Sequence, residues 1–382
     1  MVAVINMRVL HINCNYTGTT LHQNMVEQLN TLGITNEVFV PVHTKHIPVI
    51  TPAKYVEVSA CFQKMTRLFF NYKQHKIYTS LLKSYNPANF DIIHAYTLFT
   101  DGNCAYKLSK QYNLPYIVVV RSTDLDSFFK LRLDLRKRGI EIMKKASAIC
   151  FLSSSYKKQL FLKYIPRSFW KALLKKTYII PNGIDNFWHH NLYRKRNYEK
   201  ILARFKQKDL SIVYAGKIDK NKNPLATCKA LDQLVKEGWT VHYTAVGKVI
   251  DHDIAKQIAN RSYAKLLTPL PKEQLISIYK DHDIFVMPSF TETFGLVYAE
   301  AMSQALPVIY TRRQGFDNQF KEGTVGFHVS PKKPIDIKNK IISITKDYKH
   351  FSSNSLKNVG KFSWDHICKT YHSIYKSILN VK

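Results

Sequence analysis

No apolar run in this 382-residue chain reaches the roughly 18 residues needed to cross a bilayer, so a membrane-spanning helix is not expected. Cysteine is sparse and dispersed. The six residues Cys14, Cys61, Cys104, Cys150, Cys228 and Cys368 form no C-x-x-C pair. That spacing excludes a zinc ribbon or a dithiol redox centre and fits buried thiols in a reducing cytoplasm. Residues 1–12 are apolar but lack a basic leader and a small-residue cleavage site; they read as a first strand rather than a signal peptide. There is no solenoid-period repeat and no low-complexity tract. Acidic residues are few: 27 Asp and Glu face 57 Lys and Arg, a formal charge of +30. Such an excess leaves the fold open but points to an anionic partner: nucleic acid, anionic lipid or a phosphorylated substrate.

What is present is ordinary globular material, 45% hydrophobic and 22% charged. At roughly 150 residues per domain the length predicts two domains. Short apolar runs alternate with helical spacing along the chain. Strands are expected at residues 9–12, 37–40, 92–94, 116–120, 148–152 and 178–180, then at 211–215, 241–246, 284–287 and 308–310. A helix is expected over 21–32, stopping at Gly33. Fully apolar strands separated by helices predict parallel sheets covered on both faces, so the fold class is α/β with two doubly wound halves. The turn Pro181-Asn182-Gly183-Ile184-Asp185 ends the first half, and a polar, basic stretch leads to the strand at 211. The expected domains are 1–185 and 186–363.

Charge concentrates between Lys130 and Lys176. Fourteen Lys and Arg there face only Asp134 and Glu141, with Phe128, Phe129, Leu131, Leu133, Leu135, Phe161, Phe169 and Trp170 interleaved. Two readings stand: solvated helix faces around core residues, or a basic amphipathic surface for anionic lipid.

The densest chemistry lies in Thr291-Glu292-Thr293-Phe294-Gly295-Leu296-Val297-Tyr298-Ala299-Glu300. A strand end feeds a loop ending at Gly295, and a helix is expected over 296–304. Free amides at Gly295, Leu296 and Val297 can hold a phosphate, helped by the helix dipole. Glu300, one turn in, can reach a neighbouring ribose diol; Glu292 stands on the far side of that phosphate. A second strand end carries Gly216, which permits close backbone approach, and Lys217 and Lys222, which can converge on a diphosphate. The bland alternative for the two lysines is solvation in a lysine-rich chain.

These residues resemble retaining glycosyltransferases of the GT4 type (glycosyl transferases group 1). Glu292-x7-Glu300, with Phe294-Gly295-Leu296 between, resembles that family's E-x7-E signature. Gly216-Lys217 to Lys222 is similar to its G-R-x4-K, with Lys217 in place of Arg. Pro181 to Asp185 is similar to its P-N-G-[IV]-D, and Phe362-Ser363-Trp364 to the F-S-W before its last helix. The resemblance implies a GT-B fold, two Rossmann-like domains facing across a cleft, with the final helix (364–382) crossing back to the N-terminal domain. It implies that Glu292 contacts the donor sugar, Glu300 the ribose, and Lys217 and Lys222 the diphosphate. A point charge at Lys217 replaces a bidentate fork.

In the N-terminal half the resemblance implies a donor contact at Gly18. Asp91-Ile92-Ile93-His94-Ala95-Tyr96 is similar to D-[IV]-[IV]-H-x-H, with Tyr96 at the second His. His94 is either a site residue or a packed histidine. Arg121-Ser122-Thr123-Asp124 resembles the R-G-T-D of enzymes that build bacterial surface polysaccharides. Arg121 then faces the acceptor or the catalytic cleft, or else pairs with Asp124 or Asp126. Three D-x-D triplets (Asp124/Asp126, Asp251/Asp253, Asp281/Asp283) have the spacing of metal sites, but with lysines and a helix N-terminus supplying positive charge no metal and no cofactor are expected. The expected function is retaining transfer of a sugar from a nucleoside diphosphate to a lipid-linked glycan in bacterial surface polysaccharide synthesis. The expected location is cytoplasmic, peripheral on the anionic inner face of the membrane, without nucleic acid. The alternatives are a nucleic-acid-binding α/β protein and another GT-B enzyme such as a sugar-nucleotide epimerase.

Overall fold

The computed structural model describes residues 7–45, 51–63, 65–66 and 69–380. The chain divides into two compact units. One comprises Met1–Leu152, Tyr156–Gly183 and Trp364–Lys382; the other comprises Ser153–Ser155 and Ile184–Ser363.

The first unit is built on seven parallel strands: β1 (Arg8–Ile12), β2 (Thr35–His43), β3 (Val56–Phe62), β4 (Ile92–Ala95), β5 (Tyr116–Val120), β6 (Ala148–Phe151) and β7 (Thr177–Ile179). Their order is β3-β2-β1-β4-β5-β6-β7, so the direction of winding reverses between β1 and β4. Strands β4, β5 and β6 are buried along their whole length, as their unbroken apolar runs require. The expected strand at the chain start is confirmed from Arg8 onward; residues 1–6 lie outside the described residues. The expected first helix runs over Leu21–Asn30.

The helix Trp364–Ile378 completes this unit. It packs beside Leu21–Asn30, where the Cys368 thiol points at the Met25 carbonyl, 3.4 Å away. At its start Trp364 is 1% exposed and covers Gly183, where any Cβ would overlap the indole. Only glycine fits there.

The second unit has six parallel strands: β8 (Asp209–Ala215), β9 (Thr240–Val246), β10 (Ala264–Leu267), β11 (Ile284–Val286), β12 (Val308–Thr311) and β13 (Gly326–Val329), in the order β10-β9-β8-β11-β12-β13. The polar stretch after Asp185 is no loose linker. It forms the helices Asn186–His190 and Tyr198–Lys206 and sends Arg196 into the core. The Arg196 guanidinium donates to the carbonyls of Tyr279, His282 and Gln304 and to the Tyr348 hydroxyl. Arg204 bridges Asp209 and Asp283.

Three strands, β3, β10 and β13, have no counterpart among the expected ones. All three are sheet edges. An edge strand buries one face at most, so its sequence lacks the continuous apolar run that marks an interior strand.

Candidate functional site

In the second unit, the loops leaving the carboxyl ends of β8 and β11 are laced together. The Asn221 side chain donates to the Thr291 carbonyl and accepts from the Thr291 amide, 3.0 Å each, while its own carbonyl accepts from the Phe290 amide. Asn223, left-handed at φ 57°, donates to the carbonyls of Pro288 and Pro331. On the other flank the Gln314 side chain accepts from the Glu292 amide at 2.9 Å, and the Gly315 amide donates to the Glu292 carbonyl at 2.8 Å. A Cβ on Gly315 would collide with the Thr293 carbonyl. Asn221, Asn223, Gln314 and Gly315 were invisible to sequence reading. Their signal was only that turn-forming residues follow strand ends.

This clamp presents two of the expected residues to each other. Lys222 Nζ donates to Glu292 Oε2 at 2.5 Å, with both side chains largely shielded from solvent. Lys217, by contrast, is exposed, and among the described residues it forms no ion pair. Its carbonyl accepts from the Tyr214 hydroxyl. Gly216 lies where the loops leaving β8 and β9 approach: a Cβ on Gly247 would overlap the Gly216 carbonyl.

Gly295 adopts φ +81° and precedes the helix Leu296–Ser303. A Cβ at Gly295 would run into the Tyr298 ring, so the turn requires glycine. The first-turn amides of Leu296 and Val297 have no partner within their own helix. Phe294, which the resemblance places among the donor contacts, is 2% exposed, with its ring packed against Phe316 and Phe362. Glu300 is half-buried. Burial raises its carboxyl pKa to about 7, the Asp185 charge adds to the rise, and Lys272 opposes it. Lys272 itself is paired with Asp185 at 2.8 Å.

One aspartate of each D-x-D triplet is engaged in structure. Asp124 accepts from the amides of Leu98, Phe99 and Arg121. Asp251 caps the helix His252–Ala259, and Asp283 accepts from the Ser211 amide and Arg204. Among the described residues no group of three His, Cys, Asp or Glu is arranged to hold a metal.

The first unit holds the remaining expected residues. Gly18 is exposed after β1, and a Cβ there would meet nothing within 4 Å. His94 is fully buried: its ring stacks on Tyr96, and Nδ1 lies 2.6 Å from the Tyr375 hydroxyl of the returning helix. Of its two readings, the structure supports the packed histidine. Arg121 does not form the expected ion pair with Asp124 or Asp126. Its Nε donates to the Tyr96 carbonyl and a terminal nitrogen lies 2.9 Å from His22 Nε2. A cavity of about 560 Å³ opens at the carboxyl ends of β1, β2 and β4, lined by Asn15, Lys73, Thr97, Thr123, Phe70 and Phe128 among others. Behind it lies Asp101, missed in the sequence, accepting from the Cys14 amide and the Thr97 hydroxyl. Burial raises its pKa to about 7.

Of the apolar residues interleaved with the basic run, Phe129, Leu135 and Phe161 are core. Leu131 and Leu133 are 68% and 65% exposed, Leu162 61%. Lys137, Arg138, Lys144 and Lys145 are exposed beside them in sequence.

Residues 196–361 match the family model described as glycosyl transferases group 1. That stretch, less than half of the chain, is similar to the group 1 glycosyltransferases. An uncharacterized glycosyltransferase of Methanocaldococcus jannaschii is 25% identical over 306 residues, 75% of each chain. A D-inositol 3-phosphate glycosyltransferase of Corynebacterium kroppenstedtii is 29% identical over 33% of this chain, and that match spans only 29% of the relative's own length. Among solved structures, sucrose-phosphate synthase from Thermosynechococcus elongatus superposes with a TM-score of 0.74 at 17% identity, over 98% of this chain and 100% of the other. HepE of Anabaena, solved in complex with UDP-glucose, gives 0.66 at 16% identity over 97% and 100%. The two parallel sheets are those of the GT-B fold.

Proposed function

We propose that the protein is a retaining glycosyltransferase that moves a sugar from a nucleoside diphosphate to a lipid-linked glycan at an anionic membrane surface, in bacterial surface polysaccharide synthesis. The observation that carries this reading is the Lys222–Glu292 pair, clamped at two strand ends beside the Gly295 turn and its helix N-terminus. The helix amides and Lys217 hold the diphosphate, and Lys222 moves onto it from Glu292 when the donor arrives. Glu292 then accepts hydrogen bonds from the sugar hydroxyls, and Glu300 from the ribose. The acceptor hydroxyl attacks the anomeric carbon on the face that the diphosphate leaves. The bond to the phosphate oxygen breaks as the new glycosidic bond forms, and the hydroxyl proton passes to the departing phosphate. Fixed cations supply the charge stabilisation, so the reaction proceeds without a metal.

The acceptor is assigned to the first unit's cavity, whose aromatic rings suit a sugar face and whose hydroxyls and Lys73 suit its polar and anionic groups. The exposed basic residues of 136–145, with Leu131, Leu133 and Leu162, support contact with anionic lipid and a cytoplasmic, peripheral location. No helix among the described residues is long and apolar enough to cross a membrane.

The test is a panel of nucleotide sugars read by thermal shift, because the right donor stabilises the native state. It is followed by nucleotide release with and without a lipid-linked glycan. Stabilisation by one donor, and release of free nucleoside diphosphate only with acceptor, is the expected result. Release without acceptor would favour an epimerase-type reaction, and affinity for duplex DNA without nucleotide-sugar binding would refute the proposal.

A further inference from the structure

A second cavity, of about 720 Å³, lies in the second unit on ground that the transferase reading does not use. Its lining includes none of Gly216, Lys217, Lys222, Glu292, Gly295, Leu296, Val297 or Glu300. It is bounded by the helices Pro224–Lys236 and His252–Ala259 and by the turn at Pro331. We propose that this cavity is a second ligand site, for a sugar that carries one anionic group.

Charge is the first argument. Lys220, Lys229 and Lys332 all line the cavity, and among the described residues none of them has an ion-pair partner. Three cations without ion-pair partners around one concavity repel one another, and an anion between them relieves that repulsion. Two carboxylates share the lining. Asp251 is committed to the Ile254 amide as a helix cap, and Asp253 stands exposed without an ion pair. The lining is therefore positive by a single charge, which fits one phosphate or carboxylate better than a polyanion.

The second argument is the remainder of the lining. Phe290 is 41% exposed, an open aromatic face at the cavity edge. It is held there by the hydrogen bond that its amide donates to the Asn221 carbonyl, 2.7 Å long. Aromatic faces take the C–H side of a sugar ring, and Gln257 and Asp253 offer the donors and acceptors that hydroxyls need. An inorganic anion would leave the aromatic face unused.

Isothermal titration with glucose 6-phosphate, glucuronate, glucose and inorganic phosphate tests this. The two anionic sugars are the two sources of the same chemistry, and their relative affinities distinguish phosphate from carboxylate. At least one should bind at least about tenfold more tightly than glucose or inorganic phosphate. The double variant K229E/K332E should weaken it by about tenfold or more, and Phe290→Ser should bring it to the level of inorganic phosphate. Lys222→Ala and saturating UDP should leave it unchanged. Competition by UDP would assign the binding to the donor site and overturn the proposal. So would unaltered binding in K229E/K332E, equal binding of inorganic phosphate, or no binding by either anionic sugar. None of these outcomes depends on transferase activity, so failure of the donor assignment and failure of this site are read separately.

Discussion

Lys222 Nζ and Glu292 Oε2 sit 2.5 Å apart, although 70 residues separate them in sequence. Each is the other's neutralising charge, and each is expected to act on a different part of the donor. Removing one therefore does two things: it deletes a contact with the substrate and it strands a shielded charge. Lys222→Ala should lower transfer by about 10²- to 10³-fold, the range for losing one electrostatic contact to a developing charge. It should also destabilise the fold by about 1–3 kcal/mol in urea titrations, since Glu292 loses its partner. Glu292→Gln should reduce turnover with a smaller stability change. A double variant whose stability loss equals the sum of the two singles would show that the pair is not coupled.

Glu300 gives a pH prediction. Its carboxyl is raised to about 7 by burial and by Asp185. The charged form is the better acceptor for ribose hydroxyls, so nucleotide affinity should climb as pH rises through about 7 and level off above it. Asp185→Asn removes a raising charge and should move that climb to lower pH; Glu300→Gln should flatten it. The stability sign is opposite. A raised carboxyl favours the folded state while protonated, so its contribution is lost as pH rises from the ordinary Glu range to about 7. Nucleotide titrations over about pH 5.5 to 8.5 provide the check.

The buried histidines of the first unit predict acid sensitivity. Burial lowers the His11 pKa to about 4 and pushes His94 and His22 well below the ordinary value. Kept neutral in the fold, they contribute stability that is complete above about pH 6.5 and is lost as pH falls toward about 4. Urea midpoints at pH 7 and pH 5 should therefore differ. Tyr375→Phe leaves His94 Nδ1 without its partner and should cost about 1–2 kcal/mol at neutral pH.

The proposed membrane attachment rests on charge and on a few exposed leucines. Each Lys or Arg near an anionic bilayer contributes about 1 kcal/mol. Reversing Lys137, Arg138, Lys144 and Lys145 to Glu should abolish co-sedimentation with anionic vesicles while nucleotide affinity persists. Leu131→Ser with Leu133→Ser should weaken it less and make the remainder more salt-sensitive. Equal binding to neutral vesicles would remove the electrostatic basis.

Chelation should leave activity intact. Asp124, Asp251 and Asp283 each accept backbone amides, so one aspartate of each triplet serves as a cap or tie. Loss of turnover in a chelator, restored by magnesium or manganese, would contradict a reaction stabilised by Lys217 and Lys222 alone.

The interior strands and the Glu292–Glu300 segment were legible because their signals are local: an unbroken apolar run, or a carboxylate and a glycine at fixed spacing. Phe294 and His94 sit in those same legible segments, yet their rings are buried against Phe362 and Tyr375, which lie far along the chain. Whether a side chain faces a ligand or the core is decided by such distant partners, and no local pattern contains them. Arg196 was hidden for the same reason, since four acceptors from separate elements make its burial tolerable. The edge strands β3, β10 and β13 escaped because half of each faces outward.

The first unit is interrupted in sequence. Its helix Trp364–Ile378, which supplies Tyr371 and Tyr375 around His94 and the indole over Gly183, is made only after the whole second unit. During synthesis, then, the first sheet must wait with the flank of Leu21–Asn30 uncovered while 180 further residues, Ile184–Ser363, emerge. At about 5–20 residues per second that wait lasts roughly 10 to 40 seconds. The second unit is almost wholly continuous and can close on its own as it appears. The half of the chain that is translated first is thus the half that finishes folding last, and it needs protection from aggregation during the interval.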